Sequence, residues 1–281
     1  MSSIDNLSAG FAAGAERRFD SQTTSHGRWG EKLGRDAGAS LEFMDYRAYV
    51  PGDDLRHIDW NAYGRTDRLI VKRFENEIQP HVDILLDTSR SMAITPQKQA
   101  AAEYLTGYFM GAAENSRFSC QLWRLTGGAF DRSTYRQLVT QQSAPMAFES
   151  TTSLGKTILE SCPDWNPKTF KIILSDFLWE EDPFAVTRRL GSSGAWTAYV
   201  QILDRQDVHP DFSGDVRLTD SETDEFAVRR ADAGLLKTYA QNLTRHQNQW
   251  NSACRAVGAV WVVITAQELA SVSIALNGIV S

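Results

Sequence analysis

The chain has 281 residues, 42% of them hydrophobic and 23% charged, which is enough for one large domain or for one domain with a smaller module. Its net charge of −6 argues against sequence-independent nucleic-acid binding as its main function. A cytoplasmic protein with reduced thiols and no membrane insertion is expected, because Cys120, Cys162 and Cys254 lack zinc-site spacing and no apolar run reaches bilayer length.

The chain begins with two segments that differ in character from the rest. Residues 1–40 are expected to form a lead-in, with a weak amphipathic helix or disordered chain first and a glycine-rich loop, GRWGEKLGRDAGAS, at its end. Residues 41–79 are crowded with charges and aromatic rings and predict a small strand-rich module. Within it, Asp54 as N-cap and Gly64 as a stop predict one helix over 55–62, and DRLIVKRFENEI alternates like a half-exposed strand.

The remainder, residues 80–281, alternates apolar strand patterns with helical patterns. Strands are predicted at VDILLD, SRFSCQLWRLT, KTFKIILSDF, WTAYVQILD and AVWVVIT. Helices are predicted from Pro96 through residue 115 after a Thr95 cap, at SLGKTILESC and PFAVTRRLGSSG, and over 233–256, while DVRLTDSETDEFAVRR predicts a hairpin. This alternation predicts an α/β fold with a doubly wound, mostly parallel sheet that binds ligands at the carboxyl ends of its strands.

Acidic and hydroxyl side chains follow two of the predicted strands. Asp87 ends VDILLD and is followed by Ser89 and Ser91, Asp176 follows KTFKIILS, and the hydroxyl-rich STTSL over 150–154 precedes a helix. Because the carboxyl ends of parallel strands meet at one edge of the sheet, these side chains are expected to lie together. Two carboxylates with hydroxyl groups are the oxygen ligands that Mg²⁺ prefers. Such a site has room for one more carboxylate, which a partner protein could supply.

These residues resemble the metal-ion-dependent adhesion site (MIDAS) of von Willebrand factor A domains. In that family a D-x-S-x-S sequence follows the first strand of the sheet, a threonine lies in a loop before a helix, and an aspartate follows a later strand. The sequence over 87–91 matches the first three ligands and Asp176 matches the last. Thr152 is the expected threonine, with Thr151 as the alternative. The resemblance implies a bound cation, with Mg²⁺ expected, and a binding function rather than catalysis.

A longer resemblance begins upstream of this motif. EFMDYRAYVPGDDLRHIDWNAYGRTDRLIVKRF is similar to the signature of the bacterial domain of unknown function 58 (DUF 58), in which a Y-x-P-G-D-D-x-R-x-I-D-W core precedes an adhesion-type domain. The similarity runs from about His26 to Thr265 and includes GDVRLTDSETDE. Members are commonly encoded beside MoxR-type AAA+ ATPases and other von Willebrand factor A-type proteins, which implies an adaptor that binds such an ATPase. Many members carry N-terminal transmembrane helices, and none is predicted in this sequence.

The charged core of that signature has two interpretations, and its members are Asp53, Asp54, Arg56, Asp59 and Trp60. In one, Arg56, Asp59 and Trp60 form a buried or half-buried polar lock that joins the module to the α/β domain. In the other, the core is an interaction surface for the ATPase. His57 lies among these aspartates, but no motif ties a Ser or Cys nucleophile to it, so a catalytic dyad is not expected.

Enzymatic functions fit the remaining motifs less well. A nucleophilic Asp87 of the haloacid dehalogenase type would need a second aspartate where Ser89 stands. STTSLGKT ends like a phosphate-binding P-loop but has Ser150 in place of the first glycine. We therefore expect a non-enzymatic interaction module. The alternative is a metal-dependent phosphohydrolase or nuclease using the same acidic edge, which requires a general base that the sequence does not identify.

Overall fold

The chain forms two units, and the second is inserted in the sequence of the first. The computed structural model describes residues 2–19, 41–76, 80–126, 129–140, 146–162, 165, 169–191, 196–221 and 223–281. One unit comprises Met1–Asp20 and Pro80–Ser281, and the other comprises Ser21–Gln79. Residues 1–20 therefore group with the α/β domain instead of forming a lead-in, and the glycine-rich loop predicted over 27–40 lies outside the described residues.

The second unit contains a two-stranded antiparallel sheet and short helical segments. Strand β1 (Leu41–Ala48) pairs with strand β2 (Ile70–Asn76), which carries the predicted alternating strand. A 3-10 turn at Leu55–His57 is followed by helix α2 (Trp60–Thr66). The prediction of one continuous helix over 55–62 is therefore wrong.

Asp59 is the reason that the helical region divides. Its backbone is extended, and its side chain accepts hydrogen bonds from two backbone N–H groups of α2, each at 3.0 Å, so that it starts a new helix. Asp54 caps the preceding 3-10 turn by accepting a bond from Arg56 N at 3.0 Å. Gly64, the expected stop, lies inside α2, and the helix ends before Asp67, which adopts a left-handed conformation with a φ of 54°.

A six-stranded sheet runs through the first unit. Its strands are β3 (His81–Leu86), β4 (Ser119–Thr126), β5 (Ala129–Ser133), β6 (Phe170–Ser175), β7 (Thr197–Leu203) and β10 (Val260–Thr265). The strand order is β10-β7-β6-β3-β4-β5, and every neighbouring pair is parallel except β4 with β5. The predicted mostly parallel sheet is confirmed, and the antiparallel edge strand β5 is an addition that the sequence did not indicate.

Helices cover both faces of this sheet. They are α1 (Ser3–Gly14), α3 (Pro96–Asn115), α4 (Tyr135–Val139), α5 (Leu154–Glu160), α6 (Pro183–Gly191), α7 (Arg205–Val208), α8 (Ala233–Ala256) and α9 (Val272–Ala275). The side chains of β3 alternate between two apolar clusters, with Ile84 in one and Leu85 in the other. Residues of α1, α3, α4 and α9 enter the first cluster, and residues of α5, α6 and α8 enter the second.

The two longest helices have the predicted ends. Helix α3 begins at Pro96, directly after Thr95, whose side chain accepts a bond from Lys98 N at 3.1 Å. Helix α8 covers the predicted residues 233–256. Within the described parts of the chain, no helix is both long enough and apolar enough to cross a bilayer.

Helix α1 packs against α3 through glycines on both helices. A Cβ atom at Gly10 would lie 1.9 Å from Tyr104 O, and a Cβ atom at Gly107 would lie 2.0 Å from Leu7 O. The two backbones approach so closely that only a glycine hydrogen fits at these positions. The segment expected to be a weak helix or disordered chain is therefore a helix docked on the α/β domain.

Strands β8 (Gly214–Thr219) and β9 (Phe226–Ala231) form the predicted antiparallel hairpin. The hairpin exposes large apolar side chains, since Phe226 and Val228 each have 58% of their surface exposed. The guanidinium of Arg217 lies 3.9 Å from the ring centroid of Phe226. This hairpin is thus an exposed surface with mixed apolar and cationic character.

Candidate functional site at the carboxyl ends of the parallel strands

The candidate site lies where the chain reverses direction across the sheet. From β3 the chain passes to β4 on one side, and it later enters β6 on the other side of β3. In open α/β sheets such a reversal leaves a crevice at the carboxyl ends of the two strands. Asp87 follows β3 and Asp176 follows β6, and near the ends of these strands Leu86 and Leu174 are register partners. We use the term rim for this edge, which is formed by residues 87–91, 150–152 and 175–179.

Asp87 is fully buried and is held by donors from β6 and from the loops that follow β3 and β6. Its Oδ1 accepts a hydrogen bond from Ser89 N at 2.9 Å, and its Oδ2 accepts bonds from Ser175 Oγ at 2.6 Å and Trp179 Nε1 at 3.3 Å. Burial, and then the nearby Asp176 carboxylate, raise the pKa of Asp87 above its ordinary value. A positive charge close to this carboxylate would therefore be favourable.

The hydroxyl-rich loop after β3 pairs with the loop before α5. Ser89 and Ser150 form a parallel β-bridge, in which Arg90 N donates to Ser150 O and Ser150 N donates to Thr88 O, each at 3.1 Å. The Oγ atoms of Ser89 and Ser91 are 2.9 Å apart. Two hydroxyl-rich segments from distant parts of the sequence therefore meet at the rim through their backbones.

Thr152 and Thr151 differ in their surroundings. Thr152 N donates to Ser150 Oγ at 3.3 Å, and Ser150 Oγ donates to Thr152 O at 3.1 Å, which closes a tight local turn. Thr152 is half-buried, whereas Thr151 is exposed. The turn then leads into α5, which Ser153 caps by accepting a bond from Lys156 N at 3.0 Å. The turn thus holds the backbone of Thr152.

A buried lysine lies against Asp176. Lys98 Nζ is 2.8 Å from Asp176 Oδ2 and 3.3 Å from Asp207 Oδ2, and only 1% of the side-chain surface of Lys98 and of Asp176 is exposed. Asp176 Oδ1 also accepts a bond from Leu178 N at 3.1 Å. Burial alone would lower the pKa of Lys98, but the carboxylates of Asp176 and Asp207 raise it above its ordinary value, so the ammonium stays charged.

The sequence did not identify Ser175 and Trp179 of the rim, or the ion pairs beside it that Lys98 forms with Asp176 and Asp207. Lys98 carried a signal, because it lies in the first turn of α3, where the helix dipole disfavours a cation unless a specific acidic partner is present. Ser175 and Trp179 carried none, since serine and tryptophan have no pattern that reports which carboxylate they contact.

The donor set at the rim is of the kind that a hard cation prefers. The Asp87 carboxylate and the Ser89 and Ser91 hydroxyl groups are all oxygen donors. Across the described residues, no group of three or more His, Cys, Asp or Glu side chains is arranged to hold a metal ion. A cation here would depend on hydroxyl groups and on two carboxylates, one of which already contacts Lys98.

The charged residues of PGDDLRHIDW pair within the second unit. Arg47 Nη2 lies 2.5 Å from Asp53 Oδ1, and Asp53 Oδ2 accepts a bond from Val50 N at 2.9 Å. Arg56 pairs with Asp54 at 2.7 Å, and 86% of the Arg56 side-chain surface is exposed. These contacts stabilise the turn locally.

The burial predicted for this core is found only at Asp59. Asp59 is buried, caps α2 and lies 3.3 Å from Lys72 Nζ. Trp60 is 61% exposed, and Arg56 is exposed because it folds back on its neighbour Asp54. The burial expected of Arg56 and Trp60 is therefore not found, and both the polar lock and the interaction surface stay predictions.

The sequence comparisons match part of the chain to a family and most of it to uncharacterised relatives. Residues 45–110 match the family model described as "Protein of unknown function DUF58", and this segment includes both the PGDDLRHIDW sequence and Asp87. "Uncharacterized protein Rv1480" of Mycobacterium tuberculosis (strain ATCC 25618 / H37Rv) is 25% identical, over 82% of this chain and 76% of its own length. "Uncharacterized protein Mb1516" of Mycobacterium bovis gives the same values.

Two solved structures show weaker similarity. The conserved hypothetical protein BatB from Bacteroides thetaiotaomicron is 12% identical over 70% of this chain and 96% of its own, with a TM-score of 0.36. An aerotolerance-related membrane protein from Bacteroides fragilis NCTC 9343 is 13% identical over 70% of this chain and 98% of its own, also with a TM-score of 0.36. These values are too low to indicate a function. The DUF58 similarity of residues 45–110 is the relationship that the comparisons support.

Proposed function

We propose that the first unit is a von Willebrand factor A-like domain that binds partner proteins through a divalent cation, Mg²⁺, at the rim. The observation that carries this proposal is the convergence of three chain segments, 87–91, 150–152 and 175–179, on one crevice of the sheet. The residues that would hold the cation, directly or through water, are Asp87, Ser89, Ser91, Thr152 and Asp176. A carboxylate from the partner would complete the coordination.

Binding rather than catalysis is favoured by the state of the rim carboxylates. Asp87 is fully buried and both of its oxygen atoms accept hydrogen bonds, so it is not presented as a nucleophile. A phosphohydrolase or nuclease would need a free general base beside the cation. The His246 ring is engaged, with Nε2 lying 2.6 Å from Phe177 O and 3.1 Å from Trp250 Nε1. No observation favours the enzymatic alternative.

The partner that we propose is a MoxR-type AAA+ ATPase, for which the chain would serve as a cytoplasmic adaptor. Support comes from the match of residues 45–110 to DUF58, because the resemblance to that family implies such an ATPase. Other von Willebrand factor A-type proteins are a second class of partner that the resemblance to DUF58 implies. The exposed turn containing Arg56 and Trp60 would provide additional contact surface.

The hairpin of β8 and β9 would contribute to partner choice. Arg90, which lies between Ser89 and Ser91, has its Nη1 3.3 Å from Asp224 Oδ2 in the hairpin turn. This contact places the hairpin turn beside the hydroxyl-rich loop of the rim. A partner whose carboxylate reached the rim would therefore also meet the exposed Phe226 and Val228 side chains.

The test uses a Ser89→Ala/Ser91→Ala double variant of the full chain and a purified MoxR-type ATPase from the same organism. We expect the variant to bind the ATPase at least tenfold more weakly in MgCl₂, because two oxygen donors of the rim are lost while Asp87 keeps the hydrogen bonds from Ser175 Oγ and Trp179 Nε1. Biolayer interferometry measures the affinity, and circular dichroism confirms that the variant is folded.

The matched control is Glu114→Ala, which removes an exposed charge near the end of α3 at the opposite edge of the sheet. It should bind like the unmodified chain. Two results would show that no cation bridges the two proteins. One is that the double variant binds the ATPase as tightly as the unmodified chain does. The other is that the unmodified chain binds nucleotide-free ATPase equally well in excess EDTA and in MgCl₂.

A further inference from the structure

A positive charge that the protein itself supplies contacts the rim at Asp176. We propose that Lys98 is the internal counter-charge of the rim, and that its ammonium lowers the affinity of the rim for divalent cations by neutralising Asp176. This inference rests on the proposed cation site. It assigns to a residue of α3 the role of a positioning and affinity-setting group.

The geometry commits Lys98 to the rim carboxylates. Its Nζ lies 2.8 Å from Asp176 Oδ2 and 3.3 Å from Asp207 Oδ2, and 99% of its side-chain surface is buried. Its backbone is fixed as well, because Lys98 N donates to the Thr95 cap, and Thr95 Oγ1 donates to Asp204 Oδ2 at 2.7 Å. The ammonium is therefore held at the same edge of the sheet as Asp87.

The charge balance explains why this contact bears on cation binding. The Asp176 carboxylate is shared with an ammonium at hydrogen-bond distance, whereas Asp87 accepts only from neutral donors. A divalent cation near Asp176 would meet the repulsion of a fixed positive charge in a region that water does not screen. Two carboxylates are proposed as ligands. Within the described residues, Asp176 contacts a cationic side chain and Asp87 contacts none. A partner's carboxylate would be needed to hold the cation firmly.

A purely structural role for Lys98 makes a different prediction. A buried ion pair that only stabilises the fold would, when broken, lower stability by the same amount with and without Mg²⁺. If Lys98 instead competes with the cation, its removal should lower stability in chelator and increase the stabilisation that Mg²⁺ gives, because a ligand that binds the folded state stabilises it by mass action.

The experiment compares thermal unfolding of the full chain in EDTA and in MgCl₂, with isothermal titration calorimetry of MgCl₂ alone. Two variants, Lys98→Met and Lys98→Gln, remove the positive charge. Lys98→Gln keeps a hydrogen-bond donor, and Lys98→Met does not. Lys98→Arg keeps the charge, and Lys237→Met removes an exposed charge from α8 as a matched control. We expect Lys98→Met and Lys98→Gln to bind Mg²⁺ at least tenfold more tightly and to gain more from MgCl₂ than the unmodified chain. Lys98→Arg and Lys237→Met should behave like the unmodified chain.

The other outcomes separate this inference from the proposed function. If the unmodified chain gains stability from MgCl₂ and the two neutral variants gain no more, the inference is wrong and the proposed cation site stands. If only the neutral variants respond, the inference holds and the unmodified chain does not bridge through Mg²⁺. If no protein responds, both fail. If the neutral variants do not fold even in MgCl₂, a divalent cation cannot take over the charge of Lys98, and the inference is again overturned.

Discussion

At the residue scale, neighbouring threonines of the rim are distinguished by one local turn. The Ser150 hydroxyl holds the backbone of Thr152, which is half-buried, while Thr151 faces solvent. A ligand side chain needs a fixed position relative to the other donors, because the order of a preformed site lowers the entropic cost of binding. The turn fixes the backbone of Thr152, so we expect Thr152 rather than Thr151 to be the ligand.

Thr152→Ala should therefore weaken Mg²⁺ binding roughly tenfold or more, and Thr151→Ala should leave it unchanged. The measurement is the difference in Tm between MgCl₂ and EDTA for each variant beside the unmodified chain. Thr151→Ala is the matched control, because it removes the same atoms one residue away. The reverse pattern would assign the ligand to Thr151 and would mean that the loop rearranges when the cation binds.

The sequence was sufficient to place the two aspartates that follow strands. It was insufficient to identify the side chains that contact them. Asp87 and Asp176 could be placed because a buried apolar strand predicts where its carboxyl end lies. Their partners depend on register and side-chain rotamers: Ser175 reaches Asp87 because β6 lies beside β3, and Lys98 reaches Asp176 because α3 begins over that crevice. Neither relation is encoded in local periodicity.

At the element scale, the contact between α1 and α3 is unusually sensitive to side-chain volume. Gly10 and Gly14 of α1 face carbonyl oxygens of α3, and Gly107 and Gly111 of α3 face carbonyl oxygens of α1. In each case an added Cβ would come within 2.2 Å of backbone. Backbone cannot move aside as a flexible side chain can, so a methyl group must push the helices apart.

Gly107→Ala should destabilise the first unit by about 1–3 kcal/mol, or detach α1, because overpacking displaces backbone. Urea unfolding followed by circular dichroism measures the loss, and hydrogen exchange of α1 reports its detachment. Gly191→Ala is the control within the same unit, since its Cβ would lie an ordinary 3.6 Å from Val257 Cβ. It should change the free energy of unfolding by no more than about 0.5 kcal/mol. Equal effects of the two substitutions would contradict the close approach of the helices.

The same contact shows why α1 was the least certain element in the sequence. Its capping box, formed by Ser2 and Asp5, is a recognisable start signal, but its glycines lower its intrinsic helix propensity. Those glycines are favourable only because α3 packs against α1 with glycines of its own. The sequence pattern of α1 alone does not predict that packing. By contrast α3 and α8 were predicted with their ends because a Thr-Pro start and a sustained helical pattern are local signals.

At the scale of the whole molecule, the two residues of the first unit that flank the inserted segment have neighbouring contacts. Phe19, just before the inserted segment, stacks on Phe118 with ring centroids 5.7 Å apart. Pro80, just after it, accepts a hydrogen bond at its carbonyl from Ser119 N at 3.1 Å. Phe19 and Pro80, which flank the inserted segment, thus contact two consecutive residues of the first unit, Phe118 and Ser119. An insertion with close ends does not require the host to be rebuilt.

Replacing residues 21–79 by a short Gly/Ser linker should therefore leave the first unit folded. We expect cooperative thermal unfolding and the same gain in Tm from MgCl₂ as in the full chain, because the rim lies wholly in the first unit. Loss of cooperative unfolding would mean that the second unit is needed for the fold. Retained folding with lost ATPase binding would assign part of the interaction surface to the second unit and its exposed Trp60.

If the proposed function is correct, the hydrogen bonds of Asp87 also bear on the rate at which the rim would bind a partner. Three donors from the hydroxyl-rich loop, β6 and the segment after it hold the carboxylate in a single orientation before any partner arrives. The entropic cost of ordering the Asp87 carboxylate is then met during folding, and we expect association to proceed without rearrangement of this side chain. Encounter would set the association rate, so variants at the rim would change how long a complex lasts far more than how quickly it forms.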